Sequence, residues 1–76
     1  MNNRERVKYK AMGFTILRAV FVHKDQGYKI HYSTANGGWA LWMSDAYKDR
    51  VFADRGLCEA EILRLEMNNP EKYMQD

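Results

Sequence analysis

One thiol, two imidazoles and a run of helix carboxylates are the groups in this chain whose types suit covalent or proton-transfer chemistry. Cys58 is the single cysteine, and His23 and His31 are the two histidines. Nucleophilic catalysis needs a Cys or Ser held against a base that a third group orients. Cys58 instead falls within a helical pattern, on its apolar stripe, where an inert buried thiol is expected. The histidines flank a hairpin, and the sequence places no acid beside them. They share no metal-ligand spacing with Cys58. Glu59, Glu61 and Glu66 have no histidine in an HExxH frame, and Asn36-Gly37-Gly38 lacks the Gly spacing and Lys-Ser/Thr of a phosphate loop. The reading is a non-enzymatic protein with no cofactor and no metal site, acting by binding.

Three sets of residues suit binding. The first is the pair Trp39 and Trp42, three residues apart after a Gly-Gly turn. In a strand an odd spacing sends two side chains to opposite faces. Trp39, with Leu41 and Met43 on its side, is expected in the core. Trp42, flanked by Ala40 and Ser44, is expected as a surface anchor, unless the N-terminal segment folds over it. The second set is the basic arm "RERVKYK". Arg4, Arg6, Lys8 and Lys10 interleave with Tyr9, an arrangement able to contact phosphates while exposed Tyr28, Tyr32 or Trp42 stack on bases. No RNP, zinc-finger or helix-turn-helix signature accompanies it. The third set lies on the C-terminal helix. At ~100° per residue, Cys58, Ile62 and Leu65 form one stripe, and Ala60, Leu63 and Met67 form another on nearly the opposite side. Glu59 and Glu66 flank them on one side, Glu61 and Arg64 on the other. A sheet covers one stripe. The second is covered by the tail (Tyr73, Met74), by residues 44–56, or by another molecule.

The elements that must position these residues follow from local pattern. Residues 1–12 form a basic lead-in with both strand and helix periodicity, Asn3 serving as a helix N-cap in the second case. Phe14 to His23 is a strand rich in β-branched and aromatic residues. Asp25-Gln26-Gly27 closes a hairpin, with Gly27 free to take positive φ. Tyr28 to Ser33 is the return strand and Trp39 to Met43 a third. "SDAYKDRVFADRG" reads as a turn followed by a short strand around Arg50 to Ala53, with a short helix as the other option. Residues 57–67 are a helix with Asp54 at its N-terminus, and Pro70 ends it. The fold class is α+β: a small antiparallel sheet of three or four strands with a C-terminal helix packed on one face.

Bulk properties set the frame. Seventy-six residues make one domain. A core of this size supplies roughly 3–5 kcal/mol, so domains of this length often lean on disulfides, metals or self-association. A single cysteine rules out an intrachain disulfide, which leaves packing or a partner chain, including a homodimer. The net charge is +2, but residues 1–31 hold seven Lys/Arg against two acids and residues 32–76 hold five against eight. Such a dipole orients a charged partner or pairs with a second copy. The lone cysteine suits a reducing cytoplasm, and no apolar run approaches the ~20 residues of a membrane helix.

The favoured function is a protein-interaction module, an accessory, adaptor or inhibitor protein of the size that phage and mobile-element genes often encode. Its interface residues are Trp42, Leu63, Met67 and Tyr73, and its partner is a protein. The alternative is nucleic-acid binding through Arg4, Arg6, Lys8, Lys10 and Tyr9 with an aromatic sheet face.

Overall fold

The computed structural model describes residues 1–42 and 44–76. The expected place of Met43 in the third strand lies outside them. The fold is α+β. Helix α1 (Asn3–Ala11) leads into β1 (Thr15–Val22), a 3-10 turn (His23–Asp25), β2 (Gly27–Ser33) and β3 (Trp39–Leu41). Helix α2 (Arg55–Asn68) and β4 (Tyr73–Gln75) follow.

The lead-in is a helix because its start is doubly capped. The Asn2 side chain accepts from the Glu5 N–H at 2.8 Å, and the Glu5 carboxylate accepts from the Asn2 N–H at 3.5 Å. This capping box satisfies two of the end donors that no helical carbonyl reaches. The cap is Asn2, one residue before the Asn3 read from the sequence. At the other end Gly13 takes φ +100 and turns the chain into β1.

The sheet order is β3-β2-β1-β4. β1 pairs with β2, and β2 with β3, antiparallel. In the first hairpin the left-handed residue is Gln26 (φ 52) rather than Gly27. Gln26 holds that conformation with its side-chain amide donating to the His23 carbonyl at 2.6 Å. Gly27 is needed for another reason: a Cβ there would strike the Phe52 carbonyl oxygen at 2.8 Å. That close approach is the short strand expected near Arg50–Ala53, reduced to one bridge. Tyr28 and Phe52 exchange two backbone hydrogen bonds of 2.8 Å. Residues 44–49 form the turn before it, with the Tyr47 and Lys48 amides both donating to the Ser44 carbonyl.

The fourth strand is the tail. After α2 the Asn69 carbonyl accepts from the amides of Lys72 and Tyr73, which redirects the chain. Residues 73–75 then run parallel to β1, from Thr15↔Tyr73 to Leu17↔Gln75. Alternation along three residues is too short a signal to show a parallel partner in sequence. β4 also removes the tail from the outer side of α2.

The core lies between α2 and one sheet face. Leu17, Ile30, Tyr47, Phe52, Cys58, Ile62 and Tyr73 are buried, with Ala19, Tyr28, Tyr32, Trp42 and Leu65 packed against them. Helix α2 starts on Asp54, whose carboxylate accepts from the Leu57 N–H at 2.9 Å. Its inner stripe is the expected one, with Cys58 and Ile62 fully buried.

Candidate functional site

The outer side of α2 presents the first candidate surface. Leu57, Leu63 and Met67 are 55%, 50% and 72% exposed, and Ala60 between them is exposed as well. Neither the tail nor residues 44–56 cover this stripe. Tyr73 and Met74 are in β4, and the 44–56 segment packs on the inner side, with Tyr47 and Phe52 in the core. Leu57 joins Leu63 and Met67 here although the sequence reading passed over it. Its spacing of three from Ala60 and six from Leu63 is the signal that places it on this side.

One edge of α2 is pinned by a hydrogen-bonded carboxylate. Glu61 accepts from the Tyr47 hydroxyl (2.6 Å), from Arg50 (3.1 Å) and from Arg64 through Nε (2.7 Å) and a terminal nitrogen (3.0 Å). Its side chain is 10% exposed. The Arg64 hydrogen bonds, with those of Tyr47 and the charge of Arg50, outweigh burial and hold the Glu61 carboxyl at about 2. Burial, and then the Glu61 carboxylate, push the Tyr47 phenol up. The network staples the 44–50 turn to α2. Its arginines are spent on Glu61, so this edge offers no free base or acid.

The second candidate surface is the sheet face that α2 leaves uncovered. Cross-strand partners share a face. The pairs Arg18↔His31, His31↔Leu41, Val20↔Lys29 and Ser33↔Trp39 therefore put Arg18, Val20, Lys29, His31, Ser33, Trp39 and Leu41 together. Helix α1 crosses one end. Gly37 (φ +84) is buried there, and a Cβ on it would run into the Asn3 side chain. The Arg6 guanidinium donates to the Gly37 carbonyl at 3.1 Å and lies 5.1 Å from the Trp39 ring centroid. Arg18 lies on the same ring at 4.0 Å.

The two indoles are thus on the faces opposite to those expected. The Trp42 N–H donates to the Ile30 carbonyl at 3.0 Å, so Trp42 sits beside Ile30 on the α2 face. It packs edge-on against Tyr32 and Tyr47 and tilted against Tyr73, at centroid distances of 5.9, 5.6 and 5.8 Å. Its indole N–H donates to the Ser44 hydroxyl. Trp39 takes the outer face. The local neighbours misled: Leu41 made the Trp39 side look apolar, yet Leu41 is 45% exposed. Apolar cover for Trp42 comes from Tyr47 in the following turn and from Tyr73 in β4, neither of them in the strand's own alternation. Tyr73, expected at an interface, is a core residue at 9% exposure. Leu63 and Met67 are exposed on α2.

The basic arm is not one surface. Arg4 and Lys8 are exposed on α1, whereas Arg6 turns to Trp39. Lys10 sits 6.0 Å from the Tyr32 ring, and Tyr9 packs edge-on against Phe14. Tyr28 and Tyr32 join the core side, leaving Trp39 as the aromatic residue on the basic face.

Among the groups with chemical potential, Cys58 is fully buried, and burial, aided by the Glu59 and Glu61 charges, raises its thiol to about 11. Both ring nitrogens of His31 are buried without a hydrogen-bond partner. Burial, then the charges of Arg18 and Lys29, lower its pKa. Among the described residues no group of three or more His, Cys, Asp or Glu is placed to hold a metal, and no helix is long and apolar enough to cross a membrane. Comparison with family models, with curated proteins and with solved structures finds no match to this chain.

Proposed function

We propose that the protein is a small non-enzymatic interaction module that binds a protein partner through the outer side of α2. The observation that carries this reading is the exposed stripe of Leu57, Ala60, Leu63 and Met67 on a helix whose other side is already committed to the core. Covering what remains exposed of the three large residues is worth about 1–2 kcal/mol each. Association costs about 4–15 kcal/mol in lost freedom. The stripe alone therefore supports weak association, and a stable partner also engages the flanks, where Arg55 and Glu59 lie 3.8 Å apart in an exposed pair that rearranges at little cost.

The test is the double substitution Leu63→Glu and Met67→Glu. Both positions face solvent, so the variant keeps its fold and loses association with a second copy or another protein. Light scattering and thermal melting of both forms, with quantitative capture from an extract of the native host, read this out. A folded variant of unchanged mass that captures the same proteins as wild type overturns the reading.

A further inference from the structure

The sheet face opposite α2 gathers three cations, Arg6, Arg18 and Lys29, of which Arg18 has no ion-pair partner among the described residues. Arg18 makes no ion pair within 4.0 Å among the described residues, and its buried Nε–H has no acceptor. Its neighbour across the hairpin is His31, and Lys29 follows two residues before His31 on the same face. Arg6 completes the group from α1. Asp76 lies 3.5 Å from Arg6 and Asp25 3.6 Å from Lys29, whose ammonium also donates to the Lys48 carbonyl at 3.1 Å, contacts that a phosphate would have to replace. Asp76 lines the same groove as Arg18, and its charge acts on the guanidinium without closing to an ion pair within 4.0 Å. Of the α2 carboxylates, Glu59 lines the groove at the β1 edge together with Arg18 and Arg55, and Glu61 is held by Arg64 and Arg50.

The same face carries a planar platform. The Arg18 guanidinium stacks on Trp39 at 4.0 Å, with Leu41 exposed beside it on β3. A guanidinium on an indole extends a flat surface on which an unpaired base can stack, while its outward N–H groups reach a phosphate. A duplex hides its base faces from a stacking platform. A single strand offers both the phosphates and the free base faces that this arrangement matches.

We propose that this face binds single-stranded nucleic acid, with Arg18, Lys29 and Arg6 contacting phosphates and the Arg18–Trp39 stack receiving a base. This goes beyond the protein-binding reading and uses the opposite side of the molecule. An acidic protein segment offers the charge but no base to stack, and the experiment separates the two.

The probe is a fluorescein-labelled twelve-nucleotide oligothymidylate, followed by anisotropy at low salt with the full chain. A duplex of the same length and polyglutamate serve as competitors. The expected result is micromolar binding, as for sequence-independent contacts. It should weaken with salt at a log–log slope of about −2 for three phosphates. Trp39 fluorescence, read in a Trp42→Phe background, is quenched on binding. Arg18→Gln and Lys29→Gln each weaken binding about tenfold, and together they abolish it. Leu63→Glu with Met67→Glu leaves it unchanged, so failure of the α2 reading and failure of this one are distinguishable. Circular dichroism confirms that each variant is folded. Lys29→Gln, at a partly exposed site, keeps the test valid if Arg18→Gln unfolds. No anisotropy change at roughly 100 μM protein, binding that survives both substitutions, or equal competition by duplex or polyglutamate overturns the proposal.

Discussion

On the side of the sheet under α2, Trp42 touches Tyr32, Tyr47 and Tyr73. On the other side, Trp39 touches two guanidinium groups. The strands and backbone bonds are the same, so the difference comes from what each face meets. The first meets a helix that brings Cys58, Ile62 and Leu65, and a turn that brings Tyr47 and Phe52. The second meets α1 at one end and the Lys48 carbonyl through Lys29, and its middle holds Arg18, Lys29 and His31. Tryptophan suits both places because it combines a large apolar body with a π face that attracts cations. In this molecule an aromatic residue is core or platform according to its cover.

The comparison breaks most readily at the indoles. Trp42→Ala removes ring contacts to three aromatic residues and costs about 3–4 kcal/mol, close to the whole stability of a domain this small. Trp39→Ala loses cation–π contacts on an uncovered face and costs about 1–2 kcal/mol. Urea denaturation of both variants checks the order, and equal losses would erase the distinction between the faces.

A second effect belongs to the covered side. Glu61→Gln replaces a carboxylate that accepts from one phenol and two guanidiniums, and costs about 1.5–3 kcal/mol. The Glu61 carboxyl titrates near 2 in the folded chain against an ordinary value of 4.5. Between those values the unfolded chain binds the extra proton, so this stabilisation is complete above pH 4.5 and is lost as pH falls toward 2. Melting temperature followed from pH 5 downward should show the loss in wild type and a flatter profile in the variant.

The open side contributes a smaller step at higher pH. His31 has a folded pKa below 6.5 because burial, Arg18 and Lys29 disfavour its charged form. The unfolded chain therefore takes up the proton first, and stability declines as pH drops below 6.5. His31→Gln should flatten the profile in this window and leave the step below pH 4.5 in place. The smallest effect is on the outer side of α2. Leu63→Glu with Met67→Glu should move stability by no more than about 0.5 kcal/mol per site, since both side chains face solvent. A large drop in melting temperature would mean that the stripe is packed.

Much of the fold is written locally. The β-branched run of β1, the Asp54 cap, the stop at Pro70 and the Cys58–Ile62–Leu65 stripe each depend on residues within a few positions of one another. They were legible in the sequence for that reason. The helical lead-in was ambiguous because Val7, Tyr9 and Ala11 alternate as in a strand while Val7 and Ala11 are also four apart as in a helix, and the capping box at Asn2 and Glu5 decided it. Of the candidate sites, the outer stripe was readable from helical spacing, as far as Ala60, Leu63 and Met67.

Tertiary structure decided the rest. Strand alternation requires that Trp39 and Trp42 point to opposite sides, which the sequence determined. Which side became the core depended on partners 5 to 31 positions from Trp42: Tyr47 from the turn, Phe52 from its bridge to Tyr28, and Tyr73 from a strand that pairs in parallel with β1. Those contacts join segments whose own patterns are too short to carry a signal. By placing the tail in the sheet they also left one side of α2 without cover, while α1 covers one end of the far sheet face. A pleat fixes the alternation of side chains but not its sign, and the sign was set by the elements that came to lie on each face.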